Sequence, residues 1–460
     1  MRICLMTLLS GLAMSLTIPG VAANSVPPSQ PADTLPDWTV MFYVNGRGGL
    51  DCAAFDSLNE IASVPDNAHV RLVAELGRPS AQEQCPNKGI PHWQGIRRFS
   101  IHHAMVIRPS RLNSVPHGMT NMGSEQALES FVSWAQTNFP AKQYMLVIWG
   151  HGNGVPLLNA DAVVAQSKSP AKPCLTNENV SGTTKGVFVG DDTEAILYNR
   201  DIAMALHKQA EQGKKVTVVG FDACLMGNIE TAYALRDAAD VMVASEALVP
   251  SCSWNYAYSL GKLAESNGKV DARTVGKLFV KGYALKYQGS DQRTLAAVDL
   301  TAMASLGREI SRLAEALQNN LEGLKAAISH ARGPIRTYGP FNNLVDFANF
   351  LQSFQTETGV DNATLIHTKT VLSRIDATTI AQFPANDSTS TGLTIFLPQN
   401  SAQYDADKPD RDAYDPSTCP ETGRNQKHTV DFVCDTMWAP FLRSYLGIPE
   451  SQVASRAPIP

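Results

Sequence analysis

The runs WTVMFYV at 38–44, YMLVIWG at 144–150 and VTVVGFDA at 216–223 leave this chain few possible folds. Each is continuously apolar rather than alternating, as expected of a strand covered on both faces, and each ends in turn-forming residues. The connections between them hold helical spacing: Ala127, Leu128, Phe131, Val132 and Ala135 recur along one face and stop at Pro140, and a second helical stretch is expected over 199–211. Strands separated by crossovers of that length run parallel with helices packed on them, so the class is α/β. HVRLVAELG at 69–77, VMVAS at 241–245, LAAVDL at 295–300 and GLTIFLP at 392–398 read as further strands, and 51–62 as a helix after the turn NGRGG. Leu306, Ile310, Leu313 and Leu317 give another helix its core face, and the polar stretch 399–430 reads as a surface insertion.

The first 23 residues join Arg2 to an apolar run and a small-residue ending, Val21-Ala22-Ala23, which is the pattern of a removable signal peptide. Later, no stretch reaches the eighteen apolar residues of a membrane span, so export without integral membrane association is expected, to the periplasm or the exterior. The expected organisation is a signal peptide at 1–23, a flexible leader at 24–36, one domain at 37–450 with a C-terminal elaboration, and a tail at 451–460. A formal net charge of −5 with no basic tail argues against a nucleic-acid partner.

Eight cysteines occur, and cleavage after Ala23 removes Cys4 to leave seven, a number that cannot all pair internally. Cys419 and Cys434 close a short turn-rich segment and are the simplest pair to propose. One of the others stands where a thiol has chemical value. Cys224 follows the third apolar run and precedes a helical stretch, whose unpaired N–H groups would stabilise a thiolate. His151 follows the second run between Gly150 and Gly152 in the segment GHGNG, where small residues let backbone N–H groups approach a developing oxyanion. Each has a plainer reading, a core thiol and a turn histidine. Parallel strands, however, bring residues 151 and 224 to one carboxyl edge, where open α/β sheets place their ligands. Leaving Cys224 out of the disulfides gives the other six a full set of partners.

WTVMFYVNG, YMLVIWGHGNG, GFDACLMGNIETAYAL and ASEALVP, in that order across residues 38–260, resemble the clostripain-type cysteine peptidases of the caspase-like clan. The resemblance implies a caspase–haemoglobinase fold, a three-layer sandwich around a mostly parallel sheet. It implies a His151–Cys224 dyad, an oxyanion hole from the backbone N–H groups of Gly152 and Cys224, and peptide or protein substrates cut after Lys or Arg. The matching acid for such a P1 side chain is Asp222, which is also placed to cap the following helix. In the family a second acid commonly lies in the loop after the next strand. Here that loop reads Pro250-Ser251-Cys252-Ser253-Trp254, so one charge of the pocket is absent, Trp254 either walls the substrate or packs the loop, and Cys252 is expected to pair with Cys174. Asn45 is either an orienter of the imidazole or the first residue of an Asn-Gly turn. Lys168, Lys172 and Lys185 lie in the long loop where related peptidases are cleaved on activation. No cofactor is required for the chemical step; calcium enters only through the resemblance. A transpeptidase or amidase of the same chemistry, or a non-catalytic peptide-binding relative, are the competing functions.

Overall fold

The computed structural model describes residues 35–80, 84–85, 93–105, 113–114, 121–152, 154, 196–289, 293–339, 342–383, 390–406, 413–419 and 430–449. The expected signal peptide and tail lie outside these residues, as do Asn153, Cys174, Lys168, Lys172 and Lys185. Pro36–Pro460 forms one unit, separate from Met1–Leu35.

The strands are β1 (Trp38–Asn45), β2 (Val70–Arg78), β3 (Gly95–Ile101), β4 (Asn113–Ser114), β5 (Gln143–Trp149), β6 (Val218–Asp222), β7 (Val241–Ala244), β8 (Leu295–Asp299), β9 (Thr337–Tyr338), β10 (Leu344–Asp346), β11 (Thr379–Phe383) and β12 (Thr394–Phe396). The main sheet has the order β11-β8-β7-β6-β5-β1-β2-β3-β4. Its centre, β7-β6-β5-β1-β2, is parallel, and β3 and β4 on one side and β8 and β11 on the other are antiparallel. All three apolar runs lie in that parallel centre, and every residue of β1 is buried.

The helices are α1 (Asp51–Ala62), α2 (Glu125–Asn138), α3 (Asn199–Glu211), α4 (Ile229–Ala234), α5 (Tyr256–Glu265), α6 (Ala272–Lys286), α7 (Met303–Asn319), α8 (Leu321–Arg332), α9 (Phe347–Phe354), α10 (Asn362–Thr378), α11 (Ser401–Ala406), α12 (Asp431–Asp435) and α13 (Trp438–Leu446). The apolar faces of α1, α5 and α6 cover one side of the sheet; those of α2, α3, α4 and α7 cover the other. The result is a three-layer α/β/α sandwich of the caspase–haemoglobinase kind.

One expected strand lies in a second sheet, and one expectation needs correcting. GLTIFLP is a strand, but β12 belongs with β10 and β9 to a separate antiparallel sheet, because an apolar run reports burial and not which sheet buries it. Nor is 399–430 simply a surface insertion: Tyr404 and Tyr414 are buried and pack against Phe396, the first edge-on and the second tilted. Isolated aromatics among polar residues give no periodic signal, so this anchorage leaves no pattern in the sequence.

Candidate active site

The strand order reverses between β1 and β5, so the loops leaving these two strands diverge at their carboxyl ends, the position at which open α/β sheets bind ligands. His151 lies there. Its Nε2 donates to the carbonyl of Gly48 at 2.8 Å, and the residue is 4% exposed. A carbonyl only accepts, so it holds the proton on Nε2 and leaves the lone pair of the neutral ring on Nδ1. Gly48 and Gly49 take φ of +64° and +80°, and this turn aims the carbonyl at the imidazole. Asn45 sits at the base of the turn, its Oδ1 accepting the N–H of Arg47 at 3.3 Å.

The neighbouring pair of strands sets the thiol. Trp149 of β5 is paired with Asp222 of β6, so His151 and Cys224 each stand two residues beyond a matched position. The N–H of Gly150 donates to the Asp222 carbonyl at 3.3 Å and carries the pairing past the strand end. At Gly152 the two loops touch: a Cβ there would lie 2.4 Å from the Cys224 carbonyl oxygen and 2.7 Å from its nitrogen. Only glycine permits that approach.

Cys224 is 4% exposed and stands outside the disulfides. The helix that follows it begins only at Ile229, with Asn228 as N-cap, so the expected placement at a helix N-terminus is corrected: a turn intervenes. Leu225 in that turn has φ of +63°, a strain of roughly 1–3 kcal/mol for a side chain of this kind. It is held there by burial and by its N–H, which donates to Ala247 O at 3.1 Å. What faces the sulfur is the loop after β7. The Val249 N–H donates to Sγ at 3.3 Å, and the Val249 carbonyl lies 3.7 Å from it as an acceptor for the S–H. The first contact favours a thiolate and the second a thiol.

Asp222 points to the opposite face of the sheet. Its Oδ2 accepts from the Ser253 hydroxyl, from the Tyr256 hydroxyl at 2.6 Å and from the Trp254 N–H at 3.3 Å. Oδ1 takes no donor among the described residues, and the residue is 3% exposed. Ser253 also accepts the Trp149 indole N–H at 2.6 Å. Lys286 fastens this loop from behind, donating to the carbonyls of Cys252 and Trp254, both at 2.8 Å, and pairing with Glu60 at 3.0 Å. Trp254 is buried against Gly220, Tyr256 and Phe279, so of its two readings it packs the loop and presents no wall to solvent.

Burial pushes the Asp222 carboxyl up to about 6, against the pull of its Ser253, Tyr256 and Trp254 donors. A raised folded value means that the stabilising form is the protonated one. Its contribution is complete below the unfolded value of 3.8 and is lost as pH rises through about 6. The thermal midpoint is therefore expected to drop across that window by a contribution of at most roughly 3 kcal/mol from this group, and Asp222→Asn to flatten the drop. Melting curves of both proteins at constant ionic strength check this; equal slopes would refute it.

The model of the clostripain family matches residues 110–445. The chain belongs to the clostripain family. Clostripain of Hathewaya histolytica is 24% identical to this family member over 328 residues, covering 64% of this chain and 59% of that protein, so the chain spans less than two thirds of the curated relative's length. Among solved structures, an inactive zymogen C11 protease from Parabacteroides distasonis superposes with a TM-score of 0.54 at 14% identity, covering 83% of this chain and 96% of that one. A secreted C11 cysteine protease from Bacteroides thetaiotaomicron gives 0.51 at 16% identity, covering 79% and 93%. These superpositions establish the shared fold of this clostripain-family chain.

Several contributors in the clostripain-family chain carry no sequence signal of their own. The Gly48 carbonyl and the Val249 N–H are backbone groups that any residue supplies. Glu230, in the first turn of α4, accepts from the Tyr414 hydroxyl and from the Phe396 N–H at 2.9 Å, tying the segment after Cys224 to the small sheet; burial pushes it up to about 7. Cys419–Cys434 is bonded as expected, and Cys52–Cys85 is a second disulfide whose partners the sequence left open. Cys252 is also disulfide-bonded, while Cys174 lies outside the described residues. Among the described residues no group of three or more His, Cys, Asp or Glu is arranged to hold a metal ion, and no helix is long and apolar enough to cross a membrane.

Proposed function

We propose that this chain is an exported cysteine endopeptidase that hydrolyses peptide bonds after Lys or Arg. The observation that carries the reading is the placing of a reduced thiol and a carbonyl-oriented imidazole two residues beyond matched positions of adjacent parallel strands. In the proposed reaction Nδ1 of His151 takes the Cys224 thiol proton and Sγ attacks the scissile carbonyl carbon. The oxyanion is met by the N–H groups of Gly152 and Cys224. His151 returns the proton to the leaving amine as the C–N bond breaks, leaving a thioester; water, deprotonated by the same imidazole, then releases the acid and restores the thiol. Nucleophile and proton carrier are both side chains, so no cofactor enters these steps, and calcium has no part in them.

The P1 preference rests on Asp222. Three donors from the fold occupy Oδ2, while Oδ1 is left for a cationic side chain, and a single buried carboxylate favours Lys or Arg less strictly than two would. Export fits the disulfides, which persist in oxidising compartments. Mass spectrometry of products from a mixed peptide library tests the whole reading. Hydrolysis with Lys or Arg at P1 is expected; products dominated by acidic or aromatic P1 residues would remove Asp222 from its role, and aminolysis in preference to hydrolysis would make the enzyme a transpeptidase.

A further inference from the structure

Glu246 directly follows the serine that ends the β7 run, inside the loop that faces the Cys224 sulfur, and is 1% exposed. Its neighbours in that loop grip the nucleophile segment residue by residue. Ser245 O accepts the Gly227 N–H at 2.8 Å, Ala247 O accepts the Leu225 N–H, and the Val249 N–H reaches Sγ. The Glu246 side chain turns the other way, toward the small sheet. There Oε2 accepts from the Ser390 hydroxyl at 2.7 Å and from the Gly392 N–H at 3.1 Å.

The other oxygen, Oε1, is buried and has no N–H or O–H donor among the described residues. Beside it lies the carboxyl of Asp346, which ends β10, is 0% exposed and accepts from Thr391, the residue between the two donors of Glu246 at Ser390 and Gly392. Two carboxyl groups are acceptors only when ionised, so a hydrogen bond between them requires a proton on one. Asp346 is the better home for the charge. It caps α9 by accepting the Asn349 N–H at 2.9 Å, and it accepts the Thr391 N–H and the Thr391 hydroxyl as well. The proton therefore sits on Glu246, which burial first and the Asp346 charge second push well above the ordinary carboxylate range.

We propose that Glu246 and Asp346 are positioning residues: one shared proton joins them into a clasp that fastens the Ser245–Val249 loop, and Cys224 with it, to the small sheet, and loss of that proton at alkaline pH releases the nucleophile. Two adjacent buried anions repel strongly in a medium of low polarity, and the loop is the side that gives, since Asp346 is fixed by a strand and a helix cap. Among the described residues, the other ionisable groups near the pair are a tyrosine and two arginines. Tyr338 of β9 shares a hydrogen bond of 2.5 Å with Ser390 and carries Arg336 over its ring; Arg293 donates to the Leu248 carbonyl at 3.0 Å, on the far end of the loop. Neither arginine hydrogen-bonds the pair itself.

The clasp rests on the reading of Cys224 as nucleophile, so its test has two readouts. The first is kcat and KM against pH for wild type and Asp346→Asn, in which an amide N–H replaces the shared proton and does not titrate. Above the pH at which the pair loses its proton, wild-type kcat is expected to fall about tenfold per pH unit with KM little changed, while Asp346→Asn keeps its neutral-pH kcat within about twofold. The second is the rate of Cys224 alkylation by iodoacetamide over the same range, which reads the sulfur's surroundings whether or not peptides are cut. A break in the wild-type alkylation profile, absent in Asp346→Asn, is expected at the pH where kcat falls. Should Asp346→Asn not fold, Glu246→Gln supplies the same permanent donor from the other side. Superimposable profiles for wild type and a folded variant, in both readouts, would overturn the clasp; peptide cleavage that survives Cys224→Ala while the alkylation break persists would overturn only the nucleophile.

Discussion

Cys224→Ala is expected to reduce kcat/KM for peptide hydrolysis by roughly 10⁴-fold or more, to the level of what binding and oxyanion stabilisation alone sustain. The fold should survive. Cys224 is buried in the apolar cluster that includes Ala223, Leu225 and Met226, and alanine keeps all but one heavy atom of its side chain. The Val249 N–H loses its acceptor, at a cost of about 1–3 kcal/mol. His151→Ala should lose activity on the same scale, and the double variant should lose little more, because members of one catalytic unit fail together. The measurements are kcat/KM, the thermal midpoint and the count of alkylated cysteines under non-reducing conditions: one per wild-type chain at residue 224, none in Cys224→Ala. Activity retained within tenfold by the folded variant would end the assignment, as would Cys224 recovered in an intramolecular disulfide.

How far such a site can be read in advance depends on whether its chemistry lies in side chains or in the main chain. The placing of the imidazole and thiol side by side was legible because apolar runs mark the strands that each of them follows, and the parity of the cysteines gave an independent reason to expect one outside the disulfides. The groups that tune them were not. Gly48 aims a carbonyl and Val249 a nitrogen, and nothing in either residue's identity says where its backbone points. The same division runs through the fold. The apolar runs of β1, β5 and β6 declare strands buried on both faces, whereas β3 hides because Arg97 and Arg98 break its apolar pattern. Arg98 is nonetheless buried, paired with Glu75 at 2.5 Å, and burial raises that glutamate to about 7. A buried ion pair looks like surface to a reading based on hydrophobicity. Tyr414, alone in a polar stretch, hides for the converse reason, since a single aromatic has no period.

Gly152→Ala is expected to be the most damaging addition of one methyl group among the glycines around the site. The new carbon would meet the Cys224 carbonyl oxygen at 2.4 Å, and the Cys224 nitrogen and the Ala223 Cβ at 2.7 Å each. Two of these are backbone atoms, which cannot rotate away as the end of a long side chain can. Relief requires the two loops to part by about 1 Å, and a misplacement of that size costs on the order of 10²-fold in rate when it separates reacting groups. The strands themselves cannot absorb the shift, because β5 and β6 stay locked in register up to Trp149 and Asp222. It falls instead on the residues just beyond, where His151 and Cys224 stand. Overpacking should lower stability by about 1–3 kcal/mol, so a folded variant with kcat/KM reduced roughly 10²–10³-fold is the expected result. Gly261 supplies the control: it lies in α5 with nothing within 4 Å of a Cβ, and Gly261→Ala should leave activity unchanged and add up to about 1 kcal/mol of helix stability. Steady-state kinetics and melting curves on both variants decide the matter. If Gly152→Ala kept kcat/KM within threefold of wild type, the contact between the two loops would not be what holds thiol and imidazole in reacting geometry.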